Sequence, residues 1–372
     1  MSDDYFPVNE NSTEPLLCLP NALIDQHVVV RLLLWMDYFI FFSSILSSFL
    51  QLYVLKQANR HIRRSVSDQC LHVFLFSMTM GDFIQTAFCY PIESISQILN
   101  NRHELPMILN VTVHFLTWVT LSGSSLSLIL LNLDKLLYFK YPLRYSAYVT
   151  KKRGITLALV VWTCCVIFVA GAWYFECFKC VDNCSVLHLL HERWGMYLLF
   201  SVSVCVMPTL TSLAVALYIL KVVSTHRKKL AEEQALYQSG PARQALVSRL
   251  RTFYFVFMTT VFTAATLLPF RISSIIMSFS EHHELATCSG TLSRWIMSYL
   301  ISLNAIFNPL ITVTVLPQYR CRLISRLLGT SGNETKTVEL TLSSLSTPTG
   351  QLLPSGPSHT KTTSPALPTS EE

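Results

Sequence analysis

HFLTWVTLSGSSLSLILLNLDKLLYFKYPLRY, residues 114–145, decides the reading of this chain. From Phe115 to Leu133 it carries no charge. Asp134 and Lys135 then stand side by side, and Tyr141-Pro142-Leu143-Arg144-Tyr145 follows. A helix needs roughly 20 apolar residues to cross the hydrocarbon of a bilayer, and Phe115–Leu133 has that length. An acid and a base where such a helix leaves the membrane need partners or a function, because ionisable groups are costly there.

Composition extends this reading to the whole chain. Hydrophobic residues make up 51% and charged residues 13%, where a soluble domain is about a quarter charged. Uncharged runs of membrane length recur at Tyr38–Leu55, Phe115–Leu133, Gly154–Phe175, Trp194–Leu220, Thr252–Phe270 and Trp295–Tyr319. A seventh, Val73–Ile92, is interrupted only by Asp82. A lipid-facing backbone must satisfy its own hydrogen bonds, so each run is expected to be a helix. So many runs in one short chain argue against buried helices of a soluble protein. The fold class is therefore an all-α membrane protein, a bundle of seven transmembrane helices.

Basic residues orient the bundle. Lys56, Arg60, Arg63 and Arg64 follow the first span. Lys135, Lys140, Arg144, Lys151, Lys152 and Arg153 lie between the third and fourth. Lys221, Arg227, Lys228, Lys229, Arg243, Arg249 and Arg251 lie between the fifth and sixth, and Arg320, Arg322 and Arg326 follow the seventh. By the positive-inside rule these loops are cytoplasmic, which puts the N-terminus outside. The net charge of +6 is thus an orientation signal, with no pointer to nucleic acid. Residues 1–31 are expected to be an extracellular N-terminus without a cleavable signal pattern. The membrane-spanning core is expected to be 32–316. Residues 317–328 alternate Arg with Leu and Ile, as a short amphipathic helix on the bilayer surface would. Residues 329–372 are rich in Ser, Thr and Pro and are expected to be a disordered cytoplasmic tail. Sequons at Asn11 and Asn183 fall on the extracellular side.

The motifs, in order, resemble rhodopsin-like (class A) G-protein-coupled receptors. They are Ser77–Asp82 in helix two, Asp134-Lys135 with Tyr141-Pro142-Leu143 after helix three, and Trp162 in helix four. Pro208 in helix five, Pro269 in helix six, and Asn304 with Asn308-Pro309 in helix seven complete the set. The resemblance implies a plasma-membrane receptor that binds an extracellular ligand and activates a heterotrimeric G protein by helix rearrangement. It implies a water and sodium (Na+) site built on Asp82, with Ser124, Asn304 and Asn308 around it. A protonated Asp82 hydrogen-bonded to the same groups is the alternative. Asp134, Lys135, Pro142 and Leu143 are the expected coupling residues. Ser343, Ser344, Thr347 and Thr349 are candidate phosphorylation sites for arrestin recognition, and Cys321 is a palmitoylation candidate.

Arg271, two residues after Pro269, falls where the family's ligand cavity lies. Arg294, Arg193 and His114 add positive potential, and Trp118, Trp295 and Tyr299 are candidate walls. A cleft lined by one sign of charge concentrates ligands of the other, so an anionic group is expected. An internal salt bridge from Arg271 to Glu93 or Asp37 is the competing reading. Thr117 stands where amine receptors carry an aspartate, which favours a peptide or a small acidic or lipid-like ligand.

The chain also departs from the family pattern. Asp-Arg-Tyr becomes Asp134-Lys135-Leu136, and lysine lacks the planar donor fork of arginine. Val247-Ser248-Arg249-Leu250-Arg251 at the foot of helix six offers no carboxylate to Lys135, so basal activity is expected. Leu267 replaces a tryptophan, Thr312 a tyrosine, and Asn110 the helix-three cysteine. Cys18, Cys177, Cys180, Cys184 and Cys288 lie on the oxidising side, where disulfides persist. A bridge within Cys177–Cys184 and another joining Cys18 to Cys288 are favoured over a zinc site at Cys177 and Cys180. A transporter would show internal repeats, and the sequence has none. No nucleophile–base constellation suggests an enzyme. A receptor fold that does not couple remains the second reading.

Overall fold

The computed structural model describes residues 24–320, apart from 65–68, 99–105, 142–143, 146–148, 176–177, 182–185, 190–194, 196–197, 200–201, 235–239 and 280–287. Cys18, Cys177, Cys184, Asn11, Asn183, Pro142, Leu143, Arg193 and Cys321 lie outside the described residues, as does most of 317–328. Helix one is Gln26–Arg64. Helix two is Gln69–Ile84, continued through a π-helical turn, Gln85–Cys89, into Tyr90–Ile98. Helix three is Met107–Lys140 and helix four Lys151–Tyr174. Helix five is Met207–Gln234, entered through a π turn at Val202–Val206. Helix six is Gly240–Phe279 and helix seven Cys288–Val315. A 3₁₀ turn, Pro317–Tyr319, follows. Helices one, three, four and seven, and Arg251–Ser273 of helix six, are each long and apolar enough to cross a membrane.

The fold is the expected seven-helix bundle, with one local addition. Strands β1 (Phe178–Val181) and β2 (Val186–Leu189) form an antiparallel hairpin after helix four, pairing Phe178 with Leu189 and Val181 with Val186. Four-residue strands joined by a short loop leave no periodic signal long enough to read. Helix one also begins twelve residues before the uncharged run, because Arg31 and Asp37 lie within the helix instead of ending it. Asp37 turns inward and is buried, so its charge does not meet lipid.

Helix one packs on two and seven, seven on six, six on five, and helix three touches two, four, five and six. The bundle therefore closes around helix three. In the apolar stretch of helix three 61% of residues are buried, against 17% in helix four, which lies at the periphery. The outward face of helix one repeats at three- and four-residue steps through Trp35, Phe39, Phe42, Leu46 and Phe49, all exposed as lipid contact requires.

Two glycines set the spacing around helix three. A Cβ on Gly81 would stand 3.0 Å from the Thr120 carbonyl oxygen, and one on Gly123 would stand 3.3 Å from the Trp162 ring. Small residues let membrane helices approach this closely. Trp162 Nε1 then donates to Ser77 Oγ at 2.8 Å, and Ser77 and Ser127 share a hydrogen bond of 2.8 Å, joining helices two, three and four.

Prolines are treated in the same way. Pro309 has no N–H for the Ala305 carbonyl one turn earlier. Gln51 Nε2 from helix one donates to that oxygen at 2.8 Å, and Ser47 Oγ donates to the Ile306 carbonyl at 2.8 Å. A break in one helix thus becomes a tie to another. Gly81→Val is expected to lower the melting temperature of the purified protein, at a cost of about 1–3 kcal/mol for overpacking. An unchanged melting curve would show that helices two and three have room to spare.

Candidate functional site

The site has three levels along the membrane normal. The outermost is a cavity of about 150 Å³ between helices one, two, three, six and seven. Arg271, Thr117, Trp118, Trp295 and Tyr299 all line it, so five of the seven candidate ligand residues come together. His114 lies a turn further out on helix three and does not line it. Arg294 is in helix seven, with its side chain outside the described residues.

Arg271 is 2% exposed, and its Nε and Nη1 have no hydrogen-bond partner. Its guanidinium lies 4.6 Å from the centre of the Trp118 ring and 5.3 Å from that of Phe270. Aromatic faces attract a desolvated cation, which is how this buried charge is tolerated. Among the described residues no acid forms an ion pair with it. Asp37 and Glu93 line the same cavity, but Asp37 accepts a hydrogen bond from Tyr299 Oη at 2.6 Å. The Asp37–Tyr299 pair joins helices one and seven beneath Trp295.

The middle level is Asp82, which is 1% exposed. Its two carboxylate oxygens accept from Ser124 Oγ at 2.8 Å and Asn308 Nδ2 at 2.7 Å. Asn304 belongs to the next contact instead, its Oδ1 accepting from Thr263 Oγ1 of helix six at 3.1 Å. Thr86 extends the network, donating between the Asp82 carbonyl at 3.0 Å and Gln51 Oε1 at 2.8 Å. Gln85 adds a bond to Thr120 Oγ1 at 3.1 Å and takes one from Tyr90 at 2.9 Å.

The Asn308 Oδ1 atom is buried without a partner beside this carboxylate. Carboxylate, hydroxyl and amide oxygens are the donors that hard cations take. Asp82, Ser124 and Asn308 therefore fit a sodium ion, with charge neutralisation at Asp82 as its contribution. Gln51, Thr86 and Gln85 were not singled out from the sequence. The signal was there in principle, since each is a polar residue inside an apolar run.

The innermost level is the cytoplasmic end of helix three. Lys135 Nζ is 3.0 Å from Asp134 Oδ2, with both side chains 3% exposed or less. Tyr145 donates to Asp134 Oδ1 at 2.7 Å, and the Lys135 ammonium lies 5.5 Å from the Tyr138 ring centre. The neighbouring acid thus occupies Lys135, and helix six contributes no ion pair to it among the described residues. Leu267 is buried in helix six, and the buried Thr312 hydroxyl turns back to the Asn308 carbonyl at 2.9 Å.

Cys288 is disulfide-bonded, and Cys180 lies in β1. Cys70, Cys89, Cys164 and Cys165, all within helices, take part in no disulfide. Asn110, buried near the start of helix three, confirms that no cysteine bridge starts there.

The family description "7 transmembrane receptor (rhodopsin family)" matches residues 52–311, well over half of the chain. The chain belongs to the rhodopsin family of seven-transmembrane receptors. It is 28% identical over 223 residues to the G-protein coupled receptor aex-2 of Caenorhabditis elegans, covering 58% of this chain and 62% of that protein. It is also 24% identical over 135 residues to the alpha-1A adrenergic receptor of Oryctolagus cuniculus, covering 35% of this chain and 27% of that one. The receptor thus spans less than two thirds of the length of these relatives. The crystal structure of squid rhodopsin superposes with a TM-score of 0.67 at 15% identity, over 86% of this chain and 93% of that one. That likeness is one of fold.

If Asp82, Ser124 and Asn308 hold sodium, replacing potassium by sodium at constant ionic strength will raise the melting temperature of the purified receptor. Asp82→Asn is expected to remove that difference. Equal melting in both salts would rule the ion out.

Proposed function

We propose that this receptor sits in the plasma membrane, binds an extracellular ligand through an anionic group at Arg271, and passes the signal to a heterotrimeric G protein. Membership of the receptor family supports the general role. The observation that carries the ligand class is Arg271 itself, a buried guanidinium facing the cavity with two nitrogens unpartnered. A carboxylate or phosphate supplies two acceptors in the plane such a fork requires. It also meets the charge in a site of low dielectric, where pairing is strong.

The competing internal salt bridge is absent among the described residues. With about 150 Å³ of space, the partly open cavity suits a small acid, the acidic head of a lipid, or the acidic end of a peptide. Thr117 supplies no charge at helix three for an amine. At the cytoplasmic face, Lys135 is presented as a charged pair with Asp134 beside the cluster of Ile219, Phe253, Leu136 and Phe139. Displacing helix six would open that cluster to a G protein; Pro142 and Leu143, outside the described residues, remain coupling residues on the family resemblance alone. The phosphorylatable tail is the corresponding proposal for arrestin.

The test begins with an agonist found by screening acidic small molecules, lysolipids and peptides on the intact chain with dissociation sensors for each G-protein class. Arg271→Leu is expected to reduce agonist potency at least about tenfold, equivalent to about 1.4 kcal/mol, at matched surface density. Arg271→Lys should keep part of it. An agonist analogue with the acid converted to an amide should lose potency on the parent but little more on Arg271→Leu. Unchanged potency in Arg271→Leu would end the anion reading. In the same cells Lys135→Ala should abolish the response, and a full response from it would contradict the proposed coupling face.

A further inference from the structure

Asn132 is fully buried on helix three, two residues before the Asp134–Lys135 pair. Its side-chain nitrogen lies 2.6 Å from Ser212 Oγ on helix five and 2.9 Å from Thr260 Oγ1 on helix six. The same nitrogen is 3.0 Å from the Leu128 carbonyl of its own helix. An amide has two hydrogens, so the carbonyl shares one of them and the other helices take the rest. Ser212 is 1% exposed and Thr260 is fully buried. The Thr260 hydroxyl spends its own hydrogen on the Val256 carbonyl at 2.8 Å, which leaves its lone pairs for Asn132.

We infer that Asn132 is the latch of this receptor, holding the cytoplasmic halves of helices five and six against helix three in place of an ionic contact from Lys135. Three observations meet here. Lys135 has Asp134 as its nearest acid, and helix six, which carries no Asp or Glu, forms no ion pair with it among the described residues. Asn132 and Thr260 make a side-chain hydrogen bond between helices three and six. Below it, towards the cytoplasm, Phe253 packs with Ile219, Leu136, Phe139 and Phe257, a contact with no directional requirement. The polar clamp has one.

Outward movement of helix six pulls Thr260 away from Asn132 and gives up their 2.9 Å hydrogen bond, while the amide keeps Ser212 Oγ and the Leu128 carbonyl. The hydrogen bond therefore favours the closed arrangement specifically. Thr263, one turn further along, donates to Asn304 of helix seven, so helix six is pinned on both sides by neighbouring threonines. This latch stands independently of what occupies the cavity at Arg271 and of whether a G protein is engaged.

The experiment reads the helix positions directly. Spin labels are introduced as non-natural amino acids at position 140, the end of helix three, and position 251 in helix six, and distances are measured on the purified full chain without ligand. Thr260→Val, which keeps the shape and removes the acceptor, should raise the population of longer distances about two- to fivefold, as for the loss of one interhelical hydrogen bond. Asn132→Leu should do the same, and the double variant should add little to either. Thr260→Ser should match the parent, which a purely packing role for the methyl group would not allow. A Thr260→Val distribution identical to the parent, or equal opening in Thr260→Ser, would overturn the proposal.

Discussion

Lipid offers no hydrogen bonds in the middle of a bilayer, so polar groups buried there look chiefly to the protein for partners. Much of this receptor follows from that constraint. Helix three carries Thr120, Ser122, Ser124, Ser125, Ser127 and Asn132 through the bundle interior, all buried. Ser122 and Ser125 fold back onto their own helix, at 2.7 Å and 2.8 Å from carbonyls one turn earlier. Thr120, Ser124, Ser127 and Asn132 reach other helices. The second group fixes which neighbours helix three has and at what height. Apolar packing alone discriminates weakly, because lipid tails are as apolar as leucine.

The same constraint ties the helices together at the middle level of the site. Gln51 satisfies the carbonyl freed by Pro309 and also accepts from Thr86, which bonds in turn to the Asp82 carbonyl. Asp82 reaches Asn308 next to that proline. Helices one, two, three and seven are thus tied through one carboxylate. Helix six enters through Thr263 and Asn304 below Arg271.

The bundle was legible because its signal is coarse. Uncharged runs of membrane length and basic loops survive any detail of packing; Asp82 stands out as a charge inside such a run and Arg271 as the charge that ends one. Arg271, Thr117, Trp118, Trp295 and Tyr299 were all placed near one cavity from the sequence. What was not legible depends on rotation and height. Asn304 lies one turn from Asn308 on the same helix, yet it bonds helix six and not Asp82. His114 lies one turn from Thr117 and Trp118, yet it misses the cavity. Asn132 falls inside the uncharged run of helix three and carries no local signal of its own. Its partners Ser212 and Thr260 are 80 and 128 residues away, and nothing local in a serine or a threonine announces such a pairing. The altered Lys135 pointed to a loosened helix six. The structure places a polar contact one turn deeper, which the missing ionic contact had concealed.

The central claim is that side-chain hydrogen bonds across helix three, and not apolar contact alone, hold the bundle in register. A double-mutant cycle on the Ser77–Trp162 bond tests it most directly, with unfolding of the purified receptor followed for Ser77→Ala, Trp162→Phe and the pair. The account predicts a coupling of about 0.6–1.7 kcal/mol, the range for hydrogen bonds between membrane helices. Strict additivity of the two substitutions would contradict it and leave packing as the sole determinant of where the helices sit.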